Sequence, residues 1–331
     1  MNQVAVESEL AVQGESVRAA LQAATSAIGQ VIVGQQTIVE DVLAALVADG
    51  HVLLEGVPGL GKTLLVRTLG QVSGLHFGRI QLTPDLMPAD ITGTQIFDRE
   101  TGRLEFSPGP IFTNLLLADE VNRATPRTQS ALLEAMQERT VTTAGETRLL
   151  PRPFLVLATQ NPIEMEGTYP LPEAQLDRFL FKLLVPFPTE DELTSIAERT
   201  TVAGASVVPL VLSAELLLEA QQLARTVVIA PHVLRHAVRI VSATHPDRSP
   251  SQDIKRYVRH GSSPRGLQAL VLGAKARALR DGRWNVAFTD LERMAAPSLR
   301  HRLILRFEAS AEGVAADALI AQILRDVRHE G

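Results

Sequence analysis

The chain has 331 residues, 45% of them hydrophobic, and a formal net charge of −5, an ordinary globular composition long enough for about two domains. It contains no cysteine, which excludes disulfides and thiolate metal sites. No apolar run approaches the ~18 residues of a membrane span, and Glu7, Glu9 and Glu15 precede the first arginine without the apolar core of a secretory signal, so a cytoplasmic location is expected.

In chain order, the first half alternates helical and strand-like patterns. IVEDVLAALVA (38–48), TLLVRTLGQV (63–72) and TQSALLEAMQE (128–138) have helical periodicity. HVLLE (51–55), RIQL (79–82), NLLLAD (114–119) and FLVLAT (154–159) are short apolar runs that read as buried parallel strands. The alternation predicts an α/β domain with a mainly parallel sheet. Two stretches interrupt it with alternating β pattern: 92–109 around DRETG, and 140–151 with Ala144–Gly145–Glu146 at its tip. Both read as hairpins.

The weakly patterned TTVAGASVVPLVLS (200–213) reads as a linker, placing a boundary near residue 200. Beyond it, 214–225, 231–244, 265–279 and 289–303 are helical periods with hardly a strand among them. Residues 1–200 carry 14 Lys/Arg against 25 Asp/Glu, and residues 201–331 carry 18 against 12. Such asymmetry suits either a nucleic-acid-binding basic half or two halves that face each other, within a chain or between subunits. The second reading is favoured, because the arginines are dispersed and only one Trp and two Tyr are present to stack on bases.

GVPGLGKT (56–63) follows the first predicted strand and opens a helix. It fits G-x-x-x-x-G-K-[ST] at Gly56, Gly61, Lys62 and Thr63, with Pro58, Gly59 and Leu60 between. Glycines let successive backbone N–H groups point at one anion, and the helix start adds its dipole. Lys62 is expected to reach the β- and γ-phosphates, and Thr63 to ligate Mg2+. LLLADEVNR (115–123) ends an apolar run in Asp119–Glu120, at the strand end where open α/β sheets bind ligands. Asp119 is expected to hold Mg2+ through water, and Glu120 to polarise the attacking water. Asn161 ends the run 154–159 and is placed to orient that water. Arg178 follows a short polar turn, ahead of the apolar FLFKLLVP (179–186), where a strand would put it at one edge of the core, away from the chain's own phosphate loop. Arg265, in GSSPRG (261–266), opens a helix and is expected to reach back over the phosphates, so that nucleotide state sets the angle between the halves.

This order of motifs resembles the AAA+ ATPases. Among them, HVLLEGVPGLGKT, RIQLTPDLMPADITG (79–93), GPIFTNLLLADEVNRATPRTQSALLEAMQE (109–138), LATQNPIEMEGTYPLPEAQLDRF (157–179) and LRHRLILRFEA (299–309) are similar to the MoxR family, from about Ile32 to Ala309. The resemblance implies an AAA+ P-loop three-layer core over 1–200 and a small all-α lid over 201–331. It implies an ATPase using ATP and Mg2+, with Lys62 and Thr63 as the Walker A pair and Asp119 and Glu120 as the Walker B pair. Asn161 matches sensor 1, Arg265 sensor 2, and Arg178 the arginine finger that completes a neighbour's site. VIVGQ (31–35) resembles the segment beside the adenine, assigning Val33 and Gly34 to the base. Gln81 corresponds to a polar residue that restrains Glu120 until a partner binds. The family further implies a homo-oligomeric ring, a hexamer, with chaperone-like action on other complexes and partners carrying a von Willebrand factor A domain. The two hairpins are either pore-facing or ornamental.

His232 and His236, four apart, are either a metal pair or packing residues, the latter favoured because no third ligand is placed beside them. His301 reads as structural. Arg123 contacts either a neighbour's nucleotide or a carboxylate such as Glu120. A ring motor acting on nucleic acid and an ATP-gated adaptor with little turnover are the rival functions. The Asp119–Glu120–Asn161 set argues against the adaptor.

Overall fold

The computed structural model describes residues 3–100, 102–162, 167–201 and 208–327, with side chains from residue 12 onward. Two helices, α1 (Gln3–Val31) and α2 (Gln36–Val47), lead into β1 (Val52–Glu55) and α3 (Lys62–Ser73). β2 (Phe77–Gln81) and α4 (Pro88–Thr92) precede a hairpin of β3 (Gly93–Asp98) and β4 (Arg103–Pro108). Then come β5 (Leu115–Asp119), a 3-10 turn at Val121–Arg123, α5 (Pro126–Glu138), a second hairpin of β6 (Thr140–Thr143) and β7 (Glu146–Leu149), and β8 (Leu155–Gln160). The short α6 (Glu173–Leu176) and β9 (Phe181–Leu184) complete this part.

Five strands form one parallel sheet in the order β2-β5-β8-β1-β9. Alternate residues of each central strand feed two separate cores, as a sheet buried on both faces requires. Val52, Leu54, Leu115, Leu117, Leu155 and Leu157 face α1, α2 and α3. Leu53, Leu116, Ala118, Val156 and Ala158 face the other way, onto Leu132, Leu133 and Met136 of α5. The architecture is the expected three-layer α/β core, followed by a helical lid. Both hairpins are present. At the tip of the second, Ala144 and Gly145 both have positive φ (54° and 81°), the two-residue turn whose twist matches its flanking strands.

The remaining helices are α7 (Glu190–Thr200), α8 (Ala214–Thr226), α9 (Pro231–Ser242), α10 (Gln252–Tyr257), α11 (Pro264–Arg280), α12 (Phe288–Leu299), α13 (Phe307–Ala311) and α14 (Ala316–Asp326). The first core runs on into α8, α9, α11 and α12. The pattern reading does not include α10, α13 and α14, and three further features depart from it. α7 is not apparent from the pattern, yet it opens with a capping box in which Thr189 and Glu192 satisfy each other's backbone N–H groups. A short antiparallel ribbon, β10 (Val258–His260) with β11 (Ile304–Leu305), lies among the lid helices. The helix expected over 289–303 closes at Leu299, where the chain turns and the Arg302 N–H donates to Leu299 O. Of the expected linker, 202–207 lies outside the described residues. Its end is docked rather than loose: the N–H groups of Val211 and Leu212 both donate to Val72 O, and Leu212 is buried.

Candidate functional site

The loop 56–63 joins the end of β1 to α3. Gly59 and Gly61 have φ of 84° and 77°, and a Cβ at either would meet nothing within 4 Å. Their requirement is therefore conformational, and the space beside them is open. Gly56 is needed for another reason: a Cβ there would lie 3.0 Å from the Val185 side chain. Pro58 is exposed and Leu60 is tucked inside. Thr63 is exposed in the first turn of α3, where helix N–H groups lack intrahelical partners. Lys62 Nζ donates to Gly56 O across 2.7 Å, closing the loop on itself. Burial lowers the Lys62 ammonium from its ordinary range, and the charges of Asp119 and Glu120 oppose that.

Strand order brings the other candidates alongside. β8 lies between β1 and β5, and the Gly56 N–H donates to Gln160 O, so buried Asn161 stands beside the start of the loop. Asp119 ends β5. Its Oδ1 accepts from Thr159 Oγ1 (2.5 Å) and its Oδ2 from Arg79 Nη2 (2.8 Å). Glu120 is left-handed at φ 57°, ψ 54°, a conformation that strains a non-glycine residue by about 1–3 kcal/mol. Thr159 holds it there by accepting the Glu120 N–H at 2.8 Å. The Glu120 carboxylate accepts from Gln81 Nε2 at 2.7 Å and from Arg123 Nη1 at 2.9 Å. Of the two readings for Arg123, the carboxylate pair is the one seen here.

Val33 is half-buried and Gly34 exposed. Gly34 has φ 74°, and its backbone lies so close to the Glu192 carboxylate that a Cβ would stand 2.1 Å from Oε1. The adjoining Gln35 donates from Nε2 to Leu60 O (2.9 Å), tying this segment to the phosphate loop. These residues fit a nucleotide triphosphate with a divalent cation: left-handed glycines beside open space, a twelve-residue helix starting there, a hydroxyl, a lysine and a facing carboxylate.

Arg178 and Arg265 lie elsewhere. Both line a cavity of about 310 Å3 with Asp49, His51 and Arg139, at the entry to β1 rather than its exit. Four residues of strand separate this end from the phosphate loop, about 13 Å at ~3.3 Å per residue. The expectation that Arg265 reaches back over the chain's own phosphates is corrected. The start of α11 is tied to Asp177, whose carboxylate accepts from Ser263 Oγ and lies 3.8 Å from Arg265 Nη1. Arg178 is exposed, with Nη1 on Leu133 O (3.1 Å).

His232 and His236 pack around Phe288, with ring centroids 5.7 and 5.0 Å away. Among the described residues no group of three or more His, Asp or Glu is placed to hold a metal. His301 is buried with Nε2 on Phe179 O. Burial, with Arg302 nearby, keeps it well below the usual histidine range.

A model of the AAA family (ATPase family associated with various cellular activities) matches residues 51–181, and one of the AAA lid domain matches 250–323. Chaperone MoxR1 of Mycobacterium tuberculosis is 45% identical over 310 residues, covering 93% of this chain and 81% of that one. The chain belongs to the MoxR family of AAA+ ATPases. Another relative spans it as fully: the uncharacterized protein YeaC of Bacillus subtilis is 44% identical over 315 residues, covering 95% of this chain and 96% of that one. A solved structure from Cytophaga hutchinsonii superposes with a TM-score of 0.93 at 38% identity, over 100% of both chains. The protein is thus an ATPase, in line with its motifs. No helix among the described residues is long and apolar enough to cross a membrane.

Thr159, Arg79, Gln35, Asp177 and Arg302 contact or flank the candidate residues, and the motifs do not single them out. Thr159 alone leaves a signal, as a polar residue closing an apolar strand one position from the polar Gln160–Asn161 pair.

Proposed function

We propose that the chain is the subunit of a homo-oligomeric ring, a hexamer, whose Mg2+-dependent ATP hydrolysis drives assembly, activation or remodelling of partner proteins. The observation that carries this reading is the position of Arg178 and Arg265. Two guanidiniums at the strand-entry end of the sheet are too far from the chain's own phosphate loop to serve it. They suit a nucleotide bound by a neighbour. Within each subunit, Lys62, the glycine-rich backbone and Thr63 bind the phosphates, while Val33 and Gly34 lie beside the base. Mg2+ held through Thr63 and Asp119 would neutralise charge on the phosphate oxygens. Glu120 accepts a proton from the attacking water, and Asn161 orients that water. Arg178 and Arg265 of the adjacent subunit stabilise the negative charge that develops, an effect worth ~10^3-fold or more.

Gln81 and Arg123 hold Glu120 in a resting arrangement. Gln81 ends β2, and α4 and the first hairpin follow it directly. A partner engaging that hairpin has a short covalent route to the catalytic carboxylate. The relative named as a chaperone supports a protein client, and a von Willebrand factor A domain protein is the proposed partner.

The test is specific activity against protein concentration, with mass read in parallel by analytical ultracentrifugation in ATP. Activity should rise cooperatively as rings assemble. Full specific activity from a monomer would refute the shared-site reading.

A further inference from the structure

Arg302 lies in the turn after α12, and its side chain is buried. All five of its N–H groups are used. Nε donates to Asp177 Oδ1 at 2.7 Å. Nη2 donates to Asp177 O (2.9 Å) and Phe179 O (2.7 Å). Nη1 donates to Leu180 O (3.2 Å) and to Ser298 O. A guanidinium has no further donors to give, so Arg302 has no capacity left to meet a nucleotide. Instead one lid side chain wraps the backbone on both sides of Arg178.

The Asp177 carboxylate extends the same network into the lid. Ser263 Oγ donates to both its oxygens, at 3.0 and 2.9 Å. Ser263 is also the N-cap of α11, its Oγ accepting the Arg265 N–H at 3.2 Å. One carboxylate therefore neutralises the buried Arg302, anchors the first turn of α11 and stands next to Arg178 in sequence. A buried charge persists only where it is paired and hydrogen-bonded, which makes this contact between core and lid costly to open.

We infer that Asp177, Arg302 and Ser263 are positioning residues that lock the turn carrying Arg178 to the helix carrying Arg265, so that each subunit offers both guanidiniums to its neighbour's nucleotide as one rigid pair. The inference rests on the shared-site reading above. A lid free to rotate on its own core would separate the two arginines, since one belongs to each part. With the lock closed, the lid and the core of one subunit move as a unit against the next.

The experiment compares Asp177→Asn, Ser263→Ala and Arg178→Ala singly, and the first two each combined with Arg178→Ala, after circular dichroism and thermal melting show that each variant is folded. ATP affinity is measured by equilibrium binding and turnover by phosphate release. Asp177→Asn should lower kcat about tenfold or more, the loss of one charge-assisted hydrogen bond or so, with ATP affinity unchanged. Ser263→Ala should act in the same direction and more weakly. Added to Arg178→Ala, Asp177→Asn should cost less than it does alone, because the part of its effect that acts through Arg178 is already gone and only the part that acts through Arg265 remains. If Arg178→Ala turns over like the wild type, the shared-site reading fails. If Arg178→Ala is impaired while folded Asp177→Asn and Ser263→Ala keep wild-type kcat, the shared site stands and the lock is overturned. Fully additive losses would also overturn it, since they mark a general structural role.

Discussion

Gln81 Nε2 donates to Glu120 Oε2 across 2.7 Å, while Gln81 Oε1 accepts from Arg79 Nη2 at 2.9 Å. Arg79 in turn pairs with Asp119. A single amide thus links both acidic residues at the end of β5 to the edge strand β2. Both carboxylates are engaged with protein groups, and in the proposed mechanism these contacts are exchanged during turnover.

Gln81→Ala should therefore raise basal ATP hydrolysis. A hydrogen bond to a charged group is worth about 1.5–3 kcal/mol, which sets an upper bound of about a hundredfold, with an increase nearer tenfold or less expected because Arg123 retains its hold on Glu120. ATP affinity should not change. Steady-state phosphate release at saturating ATP checks it, and a fall in kcat would show that Gln81 orients Glu120 for catalysis rather than restraining it.

Lys62→Ala should abolish nucleotide binding, because the loop loses its one side-chain cation, the group that donates to Gly56 O in this structure. Glu120→Gln should bind ATP with unchanged affinity and lose turnover, since an amide does not take a proton from water. A fluorescent ATP analogue reports the first and phosphate release the second. Wild-type affinity of Lys62→Ala would remove the phosphate-loop assignment.

Acid should destabilise the fold through His51. Its Nε2 donates to Met136 O and its Nδ1 accepts the Val156 N–H, so the ring is neutral. Burial, then the nearby Arg139, lower it from 6.5 to about 3. Between those values the unfolded chain binds the proton and the folded chain does not, so stability is complete above pH 6.5 and falls as pH drops towards 3. One such histidine removes about 1.4 kcal/mol by about pH 5.5, and His301 acts in the same direction. Asp41 opposes them: burial raises it from 3.8 to about 6, so across that window its protonation favours the folded state. Urea midpoints at pH 7, 6 and 5 should fall for the wild type and fall less for His51→Gln. Equal slopes would exclude His51 as the proton acceptor.

The parts of the site that are contiguous in the chain are legible from the residues alone. Gly56 to Thr63 takes its shape from local backbone geometry, so spacing exposes it. Asp119–Glu120 and Asn161 are legible because an apolar run that stops in polar residues marks a strand end. What spacing does not reveal is set by strand order and lid docking. Thr159 meets Asp119 because β8 lies beside β5. Arg302 meets Asp177 across 125 residues of sequence, and nothing in LRHR distinguishes a buried clamp from a surface cation. The placement of Arg265 is hidden for the same reason. Its helix start is evident in the residues, but which end of the sheet that helix addresses depends on Ser263 finding Asp177.

The position of Arg178 makes the most discriminating prediction. β9 pairs with β1 in parallel, with Phe181 opposite Val52, so the turn before β9 sits where β1 begins and the phosphate loop sits where β1 ends. Arg178→Ala should bind ATP normally and hydrolyse it poorly. Its defect should also be repairable by mixing. Lys62→Ala subunits do not bind ATP yet present an intact Arg178, while Arg178→Ala subunits bind ATP and lack the arginine. A ring in which the two alternate contains some complete sites. Turnover measured across mixing ratios, at concentrations where rings form, should pass through a maximum above both parents. Strict proportionality to the two inactive proteins, with mixed rings demonstrated by differentially tagged subunits, would show that Arg178 does not act on a neighbour's nucleotide.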